Sequence, residues 1–484
     1  VQFFELEIGR LPKARERAYL DSAVLAPYRY FLEKLFKAAK HQLSESEEKL
    51  LAITSAPAHS MWVTGVEGAV ARITLPWDGG TISIHDTFER IPTIRDSAKR
   101  RALWHAAYDA LREKVGDFAE AEINALYTGK KIDDELRKFA KPYDATLLGF
   151  ENTERMVLAL IGTIAKHASV CHDFYRLKLE LLKLSELEPA DAGAELGDAS
   201  GSFPFEAGVE IVRDVFASVK PAYGKFVERV AREGRIDAYP RAGKQGGAFF
   251  SGAHGLPGFV LLNYIDDIGS VTGLAHELGH ALHDELASDQ PIFYEDYTIS
   301  SAEIASTFFE ELVLQHLVRT LPASDKIHAL HESLINTLGN VFMSTGDFNF
   351  ELALHARIRE RGFATKEEIA ELHNQHLGVY RGSVVKRIEK SGYVFIRKTH
   401  YRVPFYSYPY SFGKLVSRAL VARYQKDPSY IEKIEQFLRA GKSDSPERLL
   451  SRIGIRTDRA FFEEGIENIR RDLDELRRAA KSAH

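Results

Sequence analysis

Apolar residues recur at three- and four-residue spacing along most of the chain, the repeat of helices that bury one face. In "SAVLAPYRYFLEKLFKAAKHQL" this spacing predicts a helix. The stretch "LSESEEKLLA" then opens another, with Ser44 as N-cap and Glu47 three residues on as its capping-box partner. The exception is "ARITLPWDGGTISIHD", where two runs of period-two alternation flank an Asp-Gly-Gly turn and predict a β-hairpin over 72–84. Helical patterns resume over 95–139 and 151–184. Prolines, glycines and small polar residues then break the pattern between 185 and 205, which predicts the main linker. The expected division is a helical lobe over 1–200, carrying the hairpin, and a second lobe over 201–484. The second part begins with a helix over 205–233, followed by a glycine-rich strand region, "PRAGKQGGAFFSGAHGLPGFVLLNY". From 300 to the end the pattern is helical apart from a tyrosine-rich loop over 399–413, and the tail "IRRDLDELRRAAKSAH" reads as the solvated face of a last helix.

With 484 residues, 45% of them hydrophobic and 27% charged, the chain is globular in composition and long enough for a substantial core. Its net charge of −5 and the lack of a long basic stripe interleaved with aromatics argue against a nucleic-acid partner. The longest apolar run, "MVLALIGTIA", is about half the ~20 residues that cross a bilayer, so no membrane span is expected. A single cysteine, Cys171, precludes an internal disulfide and fits a reducing compartment. No charged-then-apolar leader follows Val1, and the expected location is cytoplasmic. Oligomeric state is left open.

Candidate chemistry concentrates in "GLAHELGHALHDEL", residues 273–286. On a helix His276 and His280 are one turn apart, about 40° round the axis, and present two imidazoles to one divalent ion. Glu277 points about 100° away, where its carboxylate reaches a water activated by such an ion without displacing a ligand. The residues around the three are mostly small or apolar, so they would lie on a buried helix. Burying them without partners costs several kcal/mol, which a metal relieves. A catalytic zinc takes three protein ligands and keeps a fourth position for water or substrate. Glu303 on the next predicted helix is the best third ligand, with Asp284, Glu285, Glu295 and Asp296 as competitors. Glu310 shares a helical face with Glu303 and could orient a ligand imidazole from behind. His283 is seven residues from His276, too far to complete a tight tetrahedron, and is expected to serve in support.

Taken together, "LAHELGHALH", "AEIASTFFEE" and "HYRVPFYSYPYSFG" resemble the oligoendopeptidase F branch of the thimet-oligopeptidase-like zinc metallopeptidases. The upstream glycine-rich stretch and "GKSDSPERLLSRIGI" resemble it in order and spacing too. The resemblance implies a mainly α, two-lobed helical metallopeptidase with a deep central channel and a small β-sheet beside the active-site helix. It makes His276, His280 and Glu303 the ligands of one zinc ion, and Glu277 the general base. It also implies that "GGAFFSG" is an edge strand for substrate backbone, at Gly247, Ala248 and Phe249, with Gly246 and Gly247 permitting close approach. His400, Tyr406 and Tyr410 become the hydrogen-bond donors to the developing oxyanion, Tyr408 having nearly the same claim as Tyr406. The implied reaction is hydrolysis of internal bonds in short unfolded peptides. Two alternatives stand beside it: a related helical zinc carboxypeptidase or dipeptidase, with Arg381, Arg387 or Arg397 holding a terminal carboxylate, and a non-catalytic peptide-binding scaffold.

Overall fold

A computed structural model describes residues 2–196, 201–241, 244 and 247–482. The helices of twelve residues or more among them are α1 (Ser97–Leu136), α2 (Glu154–Lys166), α3 (Ser169–Leu181), α4 (Phe205–Val219), α5 (Pro221–Arg232), α6 (Ile268–Ala287), α7 (Ile299–Thr320), α8 (Ala323–Leu338), α9 (Ser344–Arg361), α10 (Lys366–Arg381), α11 (Tyr408–Lys426) and α12 (Arg459–Ser482). Strands are few and short: β1 (Thr74–Trp77), β2 (Gly80–Ser83), β3 (Ile236–Asp237), β4 (Phe249–Ala253) and β5 (Leu256–Leu261). The mainly helical class with small β elements is therefore as expected. No helix among the described residues is long and apolar enough to cross a membrane.

The chain folds into two compact units, each built from three segments. Unit 1 holds Val1–Gly149, Cys171–Glu195 and Met343–Tyr408. Its core gathers on α1, where Leu103, Ala107, Leu111, Val115, Ala119 and Ile123 recur at four-residue steps and are all buried. Phe350 and Leu354 from α9, Ile369 from α10, and Tyr393 and Tyr401 from the connection to α11 join the same cluster. The Ser44–Glu47 capping box forms as expected and opens the helix Glu45–Ser55. The hairpin β1–β2 closes on a two-residue turn in which Asp78 (φ 47°) and Gly79 (φ 79°) both take left-handed backbone, the geometry that matches strand twist.

Unit 2 holds Phe150–Val170, Leu196–Phe342 and Pro409–His484. Helices α6 and α7 pack against each other, and α4 packs behind them with Phe216 stacked on Phe309 at 4.0 Å between ring centroids. A three-stranded sheet of order β3-β5-β4, with β3 parallel and β4 antiparallel to β5, lies against α6 and leaves β4 at one edge.

Four local expectations need correction. The helix expected over 205–233 is broken at Lys220 (φ −154°, ψ 128°), because Pro221 disfavours helical backbone in the residue before it and itself starts α5. The pattern over 151–184 is likewise two helices, α2 and α3. The expected linker is packed along its first part: Leu187 pairs with Val385 as an isolated bridge, and Asp191 is fully buried between Arg100 and Arg101. The tyrosine-rich loop ends early, since α11 starts at Tyr408, and Tyr408 and Tyr410 are helical.

Candidate metal centre

Helix α6 starts at Asp267, whose carboxylate accepts the Ser270 N–H at 2.6 Å and supplies the N-cap. Its apolar face, Val271, Leu274, Leu278, Leu282 and Leu286, is buried, as is Glu277, while His276 and His280 project from the other side of the helix and are half-buried. Gly279 sits where α6 meets α7: a Cβ there would lie 2.6 Å from the Ser306 Cα. That absence of a side chain lets the two helices approach closely enough for Glu303 of α7 to meet His276 of α6.

The ligand-type atoms of His276, His280 and Glu303 all lie within 4.8 Å of one another. His276 Nε2 is 3.4 Å from Glu303 Oε2, and its Nδ1 is 3.1 Å from Glu310 Oε2. The two imidazole rings meet nearly edge to face, 4.9 Å apart. Two imidazoles and one carboxylate form the donor set of a catalytic zinc site, so these residues fit that ion. Burial alone would lower the His276 pKa, but Glu303 and Glu310 raise it to about 10, the mark of a negative field that favours a cation there. Burial takes His280 down to about 4, which keeps its imidazole neutral and able to ligate. Burial also pushes Glu277 up to about 7, offset in part by His276 and by the Phe250 backbone N–H of β4.

Behind His276, Glu310 lies 3.7 Å from Lys414 Nζ, whose side chain is 4% exposed. A cavity of about 200 Å³ is lined by His276, Glu303, Glu310, Tyr410 and Lys414, with Asn336 and Asn340. Tyr410 thus lines the same cavity as His276 and Glu303. Lys414 and the two asparagines were not singled out from sequence; the available signal for Lys414 is its place one turn after Tyr410 on α11.

Three of the four competitors for third ligand are engaged elsewhere. Glu285 pairs with Arg229 at 2.5 Å, Glu295 with His254, and Asp296 with Lys442 at 3.3 Å. Asp284 is pushed up to about 6 by burial and by the neighbouring carboxylate Glu295. His283 lies flat on Tyr297, 4.0 Å between centroids, and burial holds it at about 3. In unit 1, His400 and Tyr406 are half-buried and meet edge to face at 5.5 Å, whereas Tyr408 is fully buried against Phe348. Gly247 and Ala248 lead into β4, and Phe249 begins it; Gly246 lies outside the described residues. Of the arginines offered for a terminal carboxylate, Arg387 pairs with Glu371 and Arg397 stacks over Phe88 at 3.8 Å.

Residues 93–464 match the profile of peptidase family M3, and residues 7–73 match that of oligopeptidase F. The chain belongs to peptidase family M3. This M3 peptidase is 25% identical over 462 residues to group B oligopeptidase PepB of Streptococcus agalactiae, a match covering 94% of its own length and 77% of the relative's. Its fold recurs in a crystal structure from Chlamydophila abortus (TM-score 0.87, 21% identity, 99% of this chain and 82% of that one). It recurs also in oligoendopeptidase-F from Enterococcus faecium (TM-score 0.77, 20% identity, 99% and 83%). The M3 peptidase is accordingly a zinc metalloendopeptidase of the oligopeptidase type.

Proposed function

We propose that the enzyme hydrolyses internal bonds of short, unfolded peptides, with one zinc ion held by His276, His280 and Glu303 and with Glu277 as general base. The convergence of the three ligand atoms within 4.8 Å carries this reading. Zinc bound there supplies Lewis acidity and a water acidic enough to ionise near neutral pH. Glu277, adjacent in sequence to His276 and buried beside the ligand set, is the group to remove a proton from the attacking water and pass it to the leaving amine nitrogen as the C–N bond breaks. Glu310 accepts from His276 Nδ1–H and so turns Nε2 toward Glu303. Edge strand β4 and the residues before it, Gly247 to Phe249, offer backbone groups to an extended peptide, and His400, Tyr406 and Tyr410 donate hydrogen bonds to the oxyanion. A cytoplasmic setting belongs to the same reading, supported by a single, buried cysteine.

Glu277→Gln keeps the shape of the site and removes the base. The expected result is full zinc content with hydrolysis reduced about 10²–10⁴-fold, assayed on an internally quenched peptide with both termini blocked. Wild-type turnover by that variant would overturn the assignment of Glu277. Failure of the wild-type enzyme to cleave the blocked peptide would instead favour an exopeptidase.

A further inference from the structure

The segment 398–406, which carries His400 and Tyr406, is pinned within unit 1 at almost every other residue. Lys398 pairs with Asp347 of α9, and the Tyr401 hydroxyl donates to the same carboxylate at 2.5 Å. The Arg402 guanidinium forms a buried fork with Glu122 of α1, at 2.6 and 3.1 Å. Thr146 donates to the Pro404 carbonyl at 2.9 Å. Phe405, fully buried, takes left-handed backbone (φ 56°), a conformation that a phenylalanine holds only when its surroundings impose it. Its N–H donates at 2.7 Å to Glu351, one turn after Asp347 on α9. Its ring stacks on His355, one turn further on, at 5.3 Å.

We propose, resting on the donor role given to His400 and Tyr406, that Asp347 and Glu351 are positioning residues: α9 grips the segment at Lys398, Tyr401 and Phe405 and thereby aims the two half-exposed side chains. The strained residue immediately precedes Tyr406, so relaxing it rotates that tyrosine first. Glu351 and Asp347 are 0% and 1% exposed, which keeps both carboxyls from substrate and assigns their effect to the backbone they hold. Burial pushes Glu351 well above the ordinary carboxyl value, against the pull of the Phe405 N–H. Glutamine reproduces its shape and keeps an oxygen that can accept the Phe405 N–H.

The test compares E351L, which fills the same space without an acceptor, with E351Q, which restores one, on zinc-loaded enzyme of verified thermal midpoint. E351L is expected to lower kcat about tenfold or more with KM nearly unchanged, since misplacing a group by about 1 Å costs up to ~10²-fold. E351Q is expected to recover most of that loss. If E351L does not fold, Y401F carries the same comparison from the Asp347 end, with the same fall in kcat. A folded E351L or Y401F with kcat within twofold of wild type overturns the inference, as does an E351Q as impaired as E351L. H400A and Y406F run alongside: if both keep wild-type kcat, the donor role itself is wrong, whereas if they are impaired and E351L is not, only the positioning role falls.

Discussion

Glu310 carries opposed demands on one carboxylate, which accepts from His276 at 3.1 Å and faces Lys414 at 3.7 Å. Burial would raise its pKa, but Lys414 first and His276 second bring it down to about 2. An ionised carboxylate behind a ligand imidazole sharpens that ligand's basicity, and the lysine keeps the carboxylate ionised. Lys414→Met preserves the aliphatic stem while leaving Glu310 buried without its cation. Zinc affinity, read by competition with a chelator of known strength, is expected to fall about 10–100-fold with the helices still folded by circular dichroism. An unchanged affinity would remove Lys414 from the centre. The contrast with His276, Glu277 and His280 shows what a sequence discloses at this scale. Their relation is one helical turn and is local, whereas Lys414 is more than a hundred positions from Glu310 and has the look of any surface lysine. Phe405 is hidden for a related reason: nothing in its side chain signals left-handed backbone, which tertiary contacts impose.

Where α6 crosses α7, propensity and packing pull Gly279 in opposite directions. Alanine is favoured over glycine inside a helix by about 1 kcal/mol. Yet its Cβ would meet the Ser306 Cα at 2.6 Å, the Ala305 carbonyl oxygen at 3.1 Å and the Ser306 nitrogen at 3.2 Å, all backbone and unable to step aside. Overpacking of this kind costs about 1–3 kcal/mol, so Gly279→Ala is expected to lower the thermal midpoint and also to weaken zinc binding, because the wedge parts His276 from Glu303. A midpoint at or above wild type would show that the helices yield. The break between α4 and α5 supports a second expectation. Burial would raise the Glu435 pKa, but Lys220, Tyr223 and Arg439 hold it at about 2, below its ordinary value near 4.5. A depressed carboxylate pKa contributes stability that is complete above the ordinary value and is lost as pH falls toward the folded one. Lys220→Met should therefore cost stability at pH 6, by less than about 1 kcal/mol given its partial exposure, and the gap in thermal midpoint from wild type should close below pH 4. Such elements were legible where capping and breakers are local, as at Ser44 and in the hairpin turn at Asp78. Pro221 was equally visible, but the strong apolar repeat around it reads as one helix, and the break at Lys220 emerges only in the backbone.

Three separate stretches make each compact unit, and Met343–Tyr408 returns to the unit that holds the N-terminal helices. Periodicity carries no information about such returns, since they depend on which apolar faces match across hundreds of residues, and the sequence suggested a simple division near residue 200. The arrangement has a consequence for metal removal. All three candidate ligands come from α6 and α7, both inside unit 2. A ligand that binds only the folded state stabilises it by about 4 kcal/mol at a thousandfold excess over Kd. Zinc held as proposed by His276, His280 and Glu303 would act as a staple between two helices whose close approach already depends on Gly279. Chelation is therefore expected to abolish hydrolysis, to lower the thermal midpoint, and to speed amide hydrogen exchange most in Ile268–Ala287 and Ile299–Thr320. Amides of α1 and α10 in unit 1 draw their protection from the separate apolar core around Leu111 and Ile369, and are expected to keep it. Re-adding zinc should restore activity and protection together. Exchange that rises as much in α1 as in α6 would show instead that the ion's stabilising effect extends through both units.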